Sequence, residues 1–381
     1  MSEARASITT EASLRLWVAA GGRCEYCNSY LLADEFTGYE LNLAERAHIV
    51  GATASAGSPR GDSPLPLEAR SGEANLMLLC RDHHRVIDRL IAEHTVEGLL
   101  RMKREHEARI LHLTGLADDR ASVVVRAIGA IRGGAVEIPR AAVAAAVVAD
   151  GRFPRYPLAL AGEDMEIDLR NLPDEGDPGY WSTGVRIIEQ AAARLREAQQ
   201  PVAHLSIFAL ARIPFLIALG FHLDDKIPAT IHQPRRDGTA GGWLADEHAT
   251  PVSFAAQRRS GTSASERVAL AVSVTAGIAE DVVAAAGEKA SVFEIAPVGV
   301  PCGRDVLSAT ASLESFAETY HQLLELIERE HPACRLLEVY PACPASAAVA
   351  LGRGVMRDAQ PALRVNDRAA DGAFRVALEL R

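Results

Sequence analysis

Two short cysteine-bearing segments hold the most specific chemistry in this sequence. Cys24-Glu25-Tyr26-Cys27 sets two thiols with two residues between them, and Cys80-Arg81-Asp82-His83 repeats that spacing with an imidazole as the last donor. Three sulfurs and one nitrogen from two such knuckles suit a tetrahedral Zn2+ with no open position, a structural site. Scattered core thiols would have no reason to share a spacing or to stand beside His83-His84. The 52 residues between Cys27 and Cys80 exceed what a DNA-reading zinc finger spans, so the inserted segment is what a zinc ion would hold in place.

That insertion contains Glu45-Arg46-Ala47-His48-Ile49, and Asn75 precedes the second knuckle. The order His48, Asn75, His84, over roughly residues 20–112, resembles the HNH endonuclease motif, in which a β-hairpin and a helix grip one divalent metal. Phosphodiester hydrolysis needs a base to activate water and a Lewis acid on the phosphate oxygens. The resemblance implies His48 as general base, an imidazole that titrates near neutrality. Asn75 either ligates the metal through its side-chain oxygen or braces the hairpin. His84, opening the helix beside His83, would point the other way and bind Mg2+ or another divalent ion. Asp88, one helical turn on, shares that face and is the candidate second ligand.

The sequence departs from the family at Ala47, where many HNH enzymes carry an acidic residue or a histidine before the base. Strand alternation puts Glu45 on the face opposite His48, so it ranks below Asp88 as a ligand. Arg46 has His48's parity and is a candidate to hold the scissile phosphate through a bidentate contact.

The elements that must position these residues follow from pattern. Leu14, Trp17 and Val18 form one helical face ending at Gly21-Gly22, a helix stop. Residues 53–72, rich in Ala, Gly, Ser and Pro, form a surface loop between a strand at Ala47–Val50 and a segment at Ala74–Leu79. Thr95 caps a helix with apolar Leu99, Leu100, Ile110 and Leu113, interleaved with Arg101, Lys103, Arg104 and Arg109. Those cations read as a solvated face before they read as a DNA contact.

Asp118-Asp119-Arg120 begins a linker, which sets an N-terminal domain at 1–120, a connecting segment with an Ala-rich helix at 121–149, and a third region at 150–381. From residue 150 short apolar strands alternate with helices (Pro157–Leu160, Val185–Gln199, Leu205–Ala209, Ala269–Val274, Leu313–Glu330, Leu336–Tyr340), the order of an α/β sheet. Leu205–Phe208 with Ala218-Leu219-Gly220 resembles Leu337–Tyr340 with Ala350-Leu351-Gly352, and both pairs are offset by 132 residues. Two tandem α/β units related by a pseudo-twofold account for this, chance likeness of Ala-rich helices being the alternative.

Residues 336–366 look like the end of a SAVED domain, the nucleotide-sensing module of two fused CARF-like Rossmann units, and His204–Gln233 with Trp243 fits the first unit. The fold class is therefore expected to be α+β: a zinc-stabilised ββα-metal nuclease domain followed by an α/β SAVED domain. An HNH nuclease joined to SAVED resembles the DNA-degrading effectors of CBASS, the bacterial anti-phage system signalled by cyclic oligonucleotides. The resemblance implies a cyclic di- or trinucleotide activator, assembly into a homo-oligomer, and double-stranded DNA as substrate. Doubly wound sheets hold ligands beyond the carboxyl ends of their strands, which selects Ala209–Arg212, Thr275-Ala276-Gly277 and Tyr340–Pro344. Within these, Arg212 could pair a phosphate, Thr275 and Pro341 could line the site, and Tyr340 or Trp243 could stack on a base.

Composition bounds these readings. The chain has 381 residues, 48% of them hydrophobic, enough for two or three domains. No apolar run approaches the ~18 residues of a membrane span, and six cysteines in 381 residues are too few for a disulfide scaffold. A cytoplasmic protein without membrane contact is expected, with Cys302, Cys334 and Cys343 as small buried hydrophobes. The net charge of −10 is shared between 1–120 and 121–381, which excludes a protein that coats nucleic acid by bulk attraction. An HNH restriction enzyme with a DNA- or modified-base-reading C-terminal half is the second reading, but such a half should be basic, and 121–381 is net −6. A ligand-sensing DNA-binding regulator would need a helix-turn-helix or a basic stripe, and the sequence has neither.

Overall fold

The computed structural model describes residues 7–34, 36–55, 57–131, 134–135, 137–155, 165–197, 202–234, 242–243, 249–263, 265–357, 359–369 and 371–381. The expected strand at 157–160 lies outside them. The chain divides into two compact units, Met1–Leu116 and Ala117–Arg381.

In the first unit, α1 (Thr10–Ala19) starts at Thr9, whose side chain accepts from the Ala12 N–H, a regular N-cap. It stops at Gly21 and Gly22, both with positive φ (62° and 68°), conformations that glycine adopts without strain. β1 (Ala44–His48) and β2 (Leu76–Cys80) form an antiparallel pair with Glu45 opposite Leu79 and His48 opposite Leu76. Helix α2 (Arg81–Arg89) follows β2 without a connecting residue, and α3 (Val96–Thr114) is capped by Thr95, whose hydroxyl accepts from Gly98 N–H. Leu16, Ala47, Ile49, Leu76–Leu79, Ile87 and Leu99 form the core of this unit. Lys103, expected on a solvated face, is instead 5% exposed and pairs with Glu107.

In the second unit the expected connector at 121–149 is part of the fold. β3 (Ala121–Ile131) is a central strand, pairing in parallel with β6 (Met165–Leu169) and β7 (Leu205–Leu210), and α4 (Arg140–Ala149) packs Val143, Ala146 and Val147 on Val124, Ile128 and Phe208. The sheet is completed by β4 (Gly134–Ala135), β5 (Phe153–Arg155) and β8 (Ala229–His232). A second sheet runs β14 (Phe374–Leu380), β13 (Ala362–Arg368), β12 (Leu336–Ala342), β10 (Arg267–Ser273), β11 (Ala290–Pro297), β9 (Phe254–Ser260). The parallel strands lie in the order β6-β3-β7-β8 in one sheet and β11-β10-β12-β13 in the other. Each half thus has the doubly wound order 2-1-3-4.

The helices repeat too: α5 (Tyr180–Arg196) and α6 (Ile213–Leu223) flank β7 as α8 (Thr310–Glu330) and α9 (Ala345–Arg353) flank β12, while α7 (Ala279–Ala286) answers to α4. All of α6 from Pro214 to Leu223 is buried apart from His222, which is why its sequence is apolar on every side. It crosses α9 at two glycines. A Cβ on Gly220 would overlap the Val349 carbonyl oxygen, and a Cβ on Gly352 the Ile217 carbonyl oxygen. Gly220 and Gly352, like Ile217 and Val349, are 132 residues apart, so the contact is its own image under the pseudo-twofold.

Candidate functional site

The first knuckle is built by a tight turn. Cys24 N–H donates to Ser29 O at 2.9 Å, Asn28 N–H donates back to Cys24 O at 2.8 Å, and Asn28 takes a φ of 64°. The second is built by the β2–α2 junction, where Cys80 is the N-cap of α2 and His83 lies in its first turn. The sulfurs of Cys24, Cys27 and Cys80 and one ring nitrogen of His83 all lie within 4.8 Å of one another. Thiolates at Zn–S ~2.3 Å in a tetrahedron stand about 3.8 Å apart, so this donor set fits zinc. The Tyr26 ring stacks on His83 at 4.2 Å and fixes its plane. Burial pushes the Cys24 thiol up to about 12, a shift that a bound cation would reverse by stabilising the thiolate. Beside it the Glu25 carboxyl is held up at about 8 by burial, opposed by Lys103.

The hairpin and α2 bring a second group together. His84 Nδ1 is 2.7 Å from Glu45 Oε2, and His84 Nε2 is 3.4 Å from Asp88 Oδ2. Glu45 is therefore the nearer carboxylate, which corrects its ranking below Asp88. Alternation puts Glu45 on Ala47's side of β1, and that is the side toward His84 of α2; parity with His48 was the wrong test. The donor set of one imidazole and two carboxylates suits a hard divalent ion. Each carboxylate takes a different ring nitrogen, so an ion on one nitrogen would share it with one carboxylate while the other orients the ring.

The remaining candidates lie elsewhere on the hairpin and the turn before β2. His48, 8% exposed, ends β1. Arg46, on the same side, reaches Ser13 Oγ of α1 at 3.3 Å. Asn75 is 5% exposed; its Oδ1 accepts from Val50 N–H at 2.8 Å, and its Nδ2 donates to Val50 O and Arg70 O, both at 2.8 Å. Of the two roles open to it, bracing is the one its hydrogen bonds serve.

Two arginines escaped the sequence reading. Arg60, with a φ of 54°, donates to Ile49 O at 2.6 Å, to Ile87 O at 2.5 Å and to Asp88 Oδ1 at 3.0 Å. Arg70, 3% exposed, donates to the carbonyls of Gly51, Thr53, Ser63 and Leu65. The loop at 53–72 is thus tied down from within. Its signal was available: two arginines in a stretch otherwise made of small residues and prolines.

In the second unit the ligand candidates separate. Thr275, half-buried, donates its N–H to Ala342 O at 2.8 Å and joins the carboxyl ends of β10 and β12; Pro341 lies in β12 opposite Val272. Arg212 pairs with Glu175 at 2.5 Å and with Asp367 of the other half, and its guanidinium lies 5.8 Å from the Trp181 ring. Its charge is neutralised in place. Tyr340 and Trp243 are corrected: they are 4% and 5% exposed, Tyr340 packed on Phe374 and hydrogen-bonded to Glu338, Trp243 edge-on to Phe208. Burial lifts the Tyr340 phenol to about 12. Sequence missed Gln233, whose Oε1 accepts from Ser346 N–H at 3.1 Å and Ser346 Oγ–H at 2.6 Å, so the end of β8 meets the first turn of α9. Cys334 and Cys343 are buried as expected, while Cys302 is half-buried and donates to Ser273 O at 3.1 Å.

Comparison with known proteins bears on the second unit. The family model SAVED, "SMODS-associated and fused to various effectors sensor domain", matches residues 187–380. The chain is similar to the Acinetobacter baumannii Cap4 SAVED/CARF-domain containing receptor with the cyclic trinucleotide 3'3'3'-cAAA, at 11% identity and a TM-score of 0.45, covering 79% of this chain and 61% of that one. It is also similar to the Moraxella osloensis Cap4 SAVED/CARF-domain containing receptor, at 11% identity and a TM-score of 0.41, covering 78% and 60%. The chain spans about three fifths of the length of these receptors. No curated protein matches it. Among the described residues no helix is long and apolar enough to cross a membrane.

Proposed function

The chain belongs to the SAVED family of effector-fused sensor domains, and from that premise we propose that it is a cyclic-oligonucleotide-activated, metal-dependent DNA endonuclease of the CBASS type. One observation carries this reading: a chain with a SAVED sensor also holds, in its other unit, a hairpin and helix that set His84 between Glu45 and Asp88 beside a Cys3His donor set. The nuclease half rests on the resemblance to HNH enzymes together with this geometry.

In the proposed mechanism zinc, on Cys24, Cys27, Cys80 and His83, is structural. A divalent ion held by His84 with Glu45 or Asp88 would supply the Lewis acid for the phosphate oxygens. His48 takes the proton of the attacking water; enclosed at 8% exposure, it is screened from bulk solvent. Arg46 shares its side of β1 and holds the scissile phosphate. Asn75 keeps the end of β1 against the 70–75 turn, and Arg60 holds Asp88 in reach of His84. The cyclic nucleotide binds at the carboxyl ends of the second unit's strands, around Thr275 and Pro341, where α9 also begins. Arg212 would contribute only by exchanging a carboxylate partner for a phosphate.

The test is plasmid cleavage by the purified chain with Mg2+ and a panel of cyclic di- and trinucleotides. Cutting that requires one member of the panel is the expected result. Cutting that is equal with and without every member would favour a restriction enzyme, and no cutting under any condition would remove the nuclease reading.

A further inference from the structure

The second α/β half carries a cavity that the activity above does not use. It opens at the amino ends of β12 and β13, away from the strand ends where doubly wound folds hold ligands, and measures about 380 Å3. That size lies in the range of small-molecule sites. Its walls include Phe221, Arg335, Leu336, Arg357, Gln360 and Arg381, and among the described residues no acidic side chain lines it. Three guanidinium groups border one concavity in a chain of net charge −10.

The three cations are engaged to different degrees. Arg381 pairs with Glu379 at 3.1 Å. Arg357 lies 4.4 Å from the Phe221 ring centroid and donates to the Phe221 carbonyl, which fixes its plane. Arg335 forms no ion pair among the described residues. Gln360 accepts from Met356 N–H at 2.9 Å, which leaves its NH2 group to donate. Guanidinium forks match phosphate oxygens in pairs, and the half-buried Leu336, Pro361 and Ala362 offer an apolar wall for the rest of a ligand.

The duplication provides an internal control. A shift of 132 residues carries Phe221 to Arg353 and Leu336 to His204. At that equivalent place in the first half the corresponding side chains are buried and tied to the chain: Arg353, 9% exposed, donates to Ile227 O at 2.7 Å, and His204, 6% exposed, lies 2.8 Å from Ser122 Oγ. One copy has a single buried guanidinium held by the chain's own carbonyl, and the other borders a cavity with three. A packing fault would have no reason to collect cations.

We propose that this cavity binds a small organic phosphate of nucleoside-monophosphate size, at a site separate from the carboxyl-end crevice. Phe221 closes toward the end of α6 and Arg357 follows α9, so the occupant would lie beside the crossing of the two repeats. Calorimetry on the full chain, with AMP, adenosine and inorganic phosphate as probes, tests it. AMP should bind saturably, adenosine should not bind at the same concentrations, and inorganic phosphate should compete only weakly. Arg335→Glu, at an exposed position, should weaken AMP about tenfold or more through loss of a charge-assisted contact, and Arg381→Glu serves if that variant fails to fold. Excess cyclic trinucleotide should leave AMP in place. Absence of AMP binding, binding that the variants leave unchanged, displacement by the cyclic trinucleotide, or inorganic phosphate binding as tightly as AMP would each overturn the proposal.

Discussion

At the scale of single residues, strand parity sorts the candidates of the first unit: the residues proposed as base and phosphate holder on one side of β1, a residue proposed to hold a metal on the other. His48 and Arg46 lie on one side of β1, and Glu45 lies on the other with His84, 2.7 Å away. The arrangement predicts two different losses. His48→Ala should abolish cutting while zinc content and nucleotide binding stay at wild-type levels, because in the proposed mechanism this side chain takes the proton of the reacting water and belongs to neither the zinc donors nor the second unit. Glu45→Gln keeps the size of the side chain and removes its charge, so it should raise the Mg2+ concentration needed for half-maximal cutting by about 10-fold or more, the usual cost of losing a metal-site carboxylate. A titration of cutting rate against Mg2+ separates the two, and an unchanged midpoint in Glu45→Gln would return the role to Asp88. The grouping of Cys24, Cys27, Cys80 and His83 within 4.8 Å was legible in sequence because each pair's spacing is local and covalent. Glu45 was not, because which side of a strand a helix covers is decided by tertiary packing, and for the same reason the strand-end rule could not choose between stacking and core roles for Tyr340 and Trp243, which are buried.

At the scale of elements, the crossing of α6 and α9 holds the two repeats against each other. Each helix presents a glycine to a carbonyl oxygen of its partner, and neither backbone can retreat without disturbing the sheet that follows it. Gly220→Ala should therefore destabilise the second unit by about 3 kcal/mol or more, the upper part of the range for overpacking a close contact, and Gly352→Ala should do the same. Urea unfolding followed by tryptophan fluorescence, with Trp181 and Trp243 in this unit and Trp17 in the other, gives the values; a change within 0.5 kcal/mol would mean that the crossing is loose. The repeat was readable because those same glycines fall at one offset in the sequence. β3 was not, since a parallel strand buried on both faces shows no alternation, and Asp118-Asp119-Arg120 leads straight into it at Ala121 with no linker between.

At the scale of the molecule, charge sets the terms of activation. A chain of net −10 is not drawn to DNA by its overall charge, and the exposed arginines of one hairpin-and-helix site, Arg46 of β1 with Arg81, Arg85 and Arg89 of α2, give a single protomer few contacts to hold a duplex. Joining several such sites raises the effective concentration of each for the next without any new contact, so an assembled state would cut where one protomer would not. A ligand can drive that assembly only if it binds the assembled state more tightly than the free chain. The sensor half has features suited to this: Gln233 caps α9 from β8, and Asp367 of β13 reaches Arg212 at the start of α6, so each half's fourth strand meets the other half's third helix. A cyclic nucleotide at those strand ends would change both ties at once. The activating nucleotide, added to full-length protein without DNA, should therefore raise its mass in light scattering, and the same concentration should bring on plasmid cutting. Cutting should also fall steeply with added salt, because assembly brings the cations of several copies to the phosphates of one duplex, and the salt dependence grows with the number of phosphates neutralised. Full cutting by a species whose mass never changes would show that activation works within one protomer, and the two cross-half ties would then be the place to look for it.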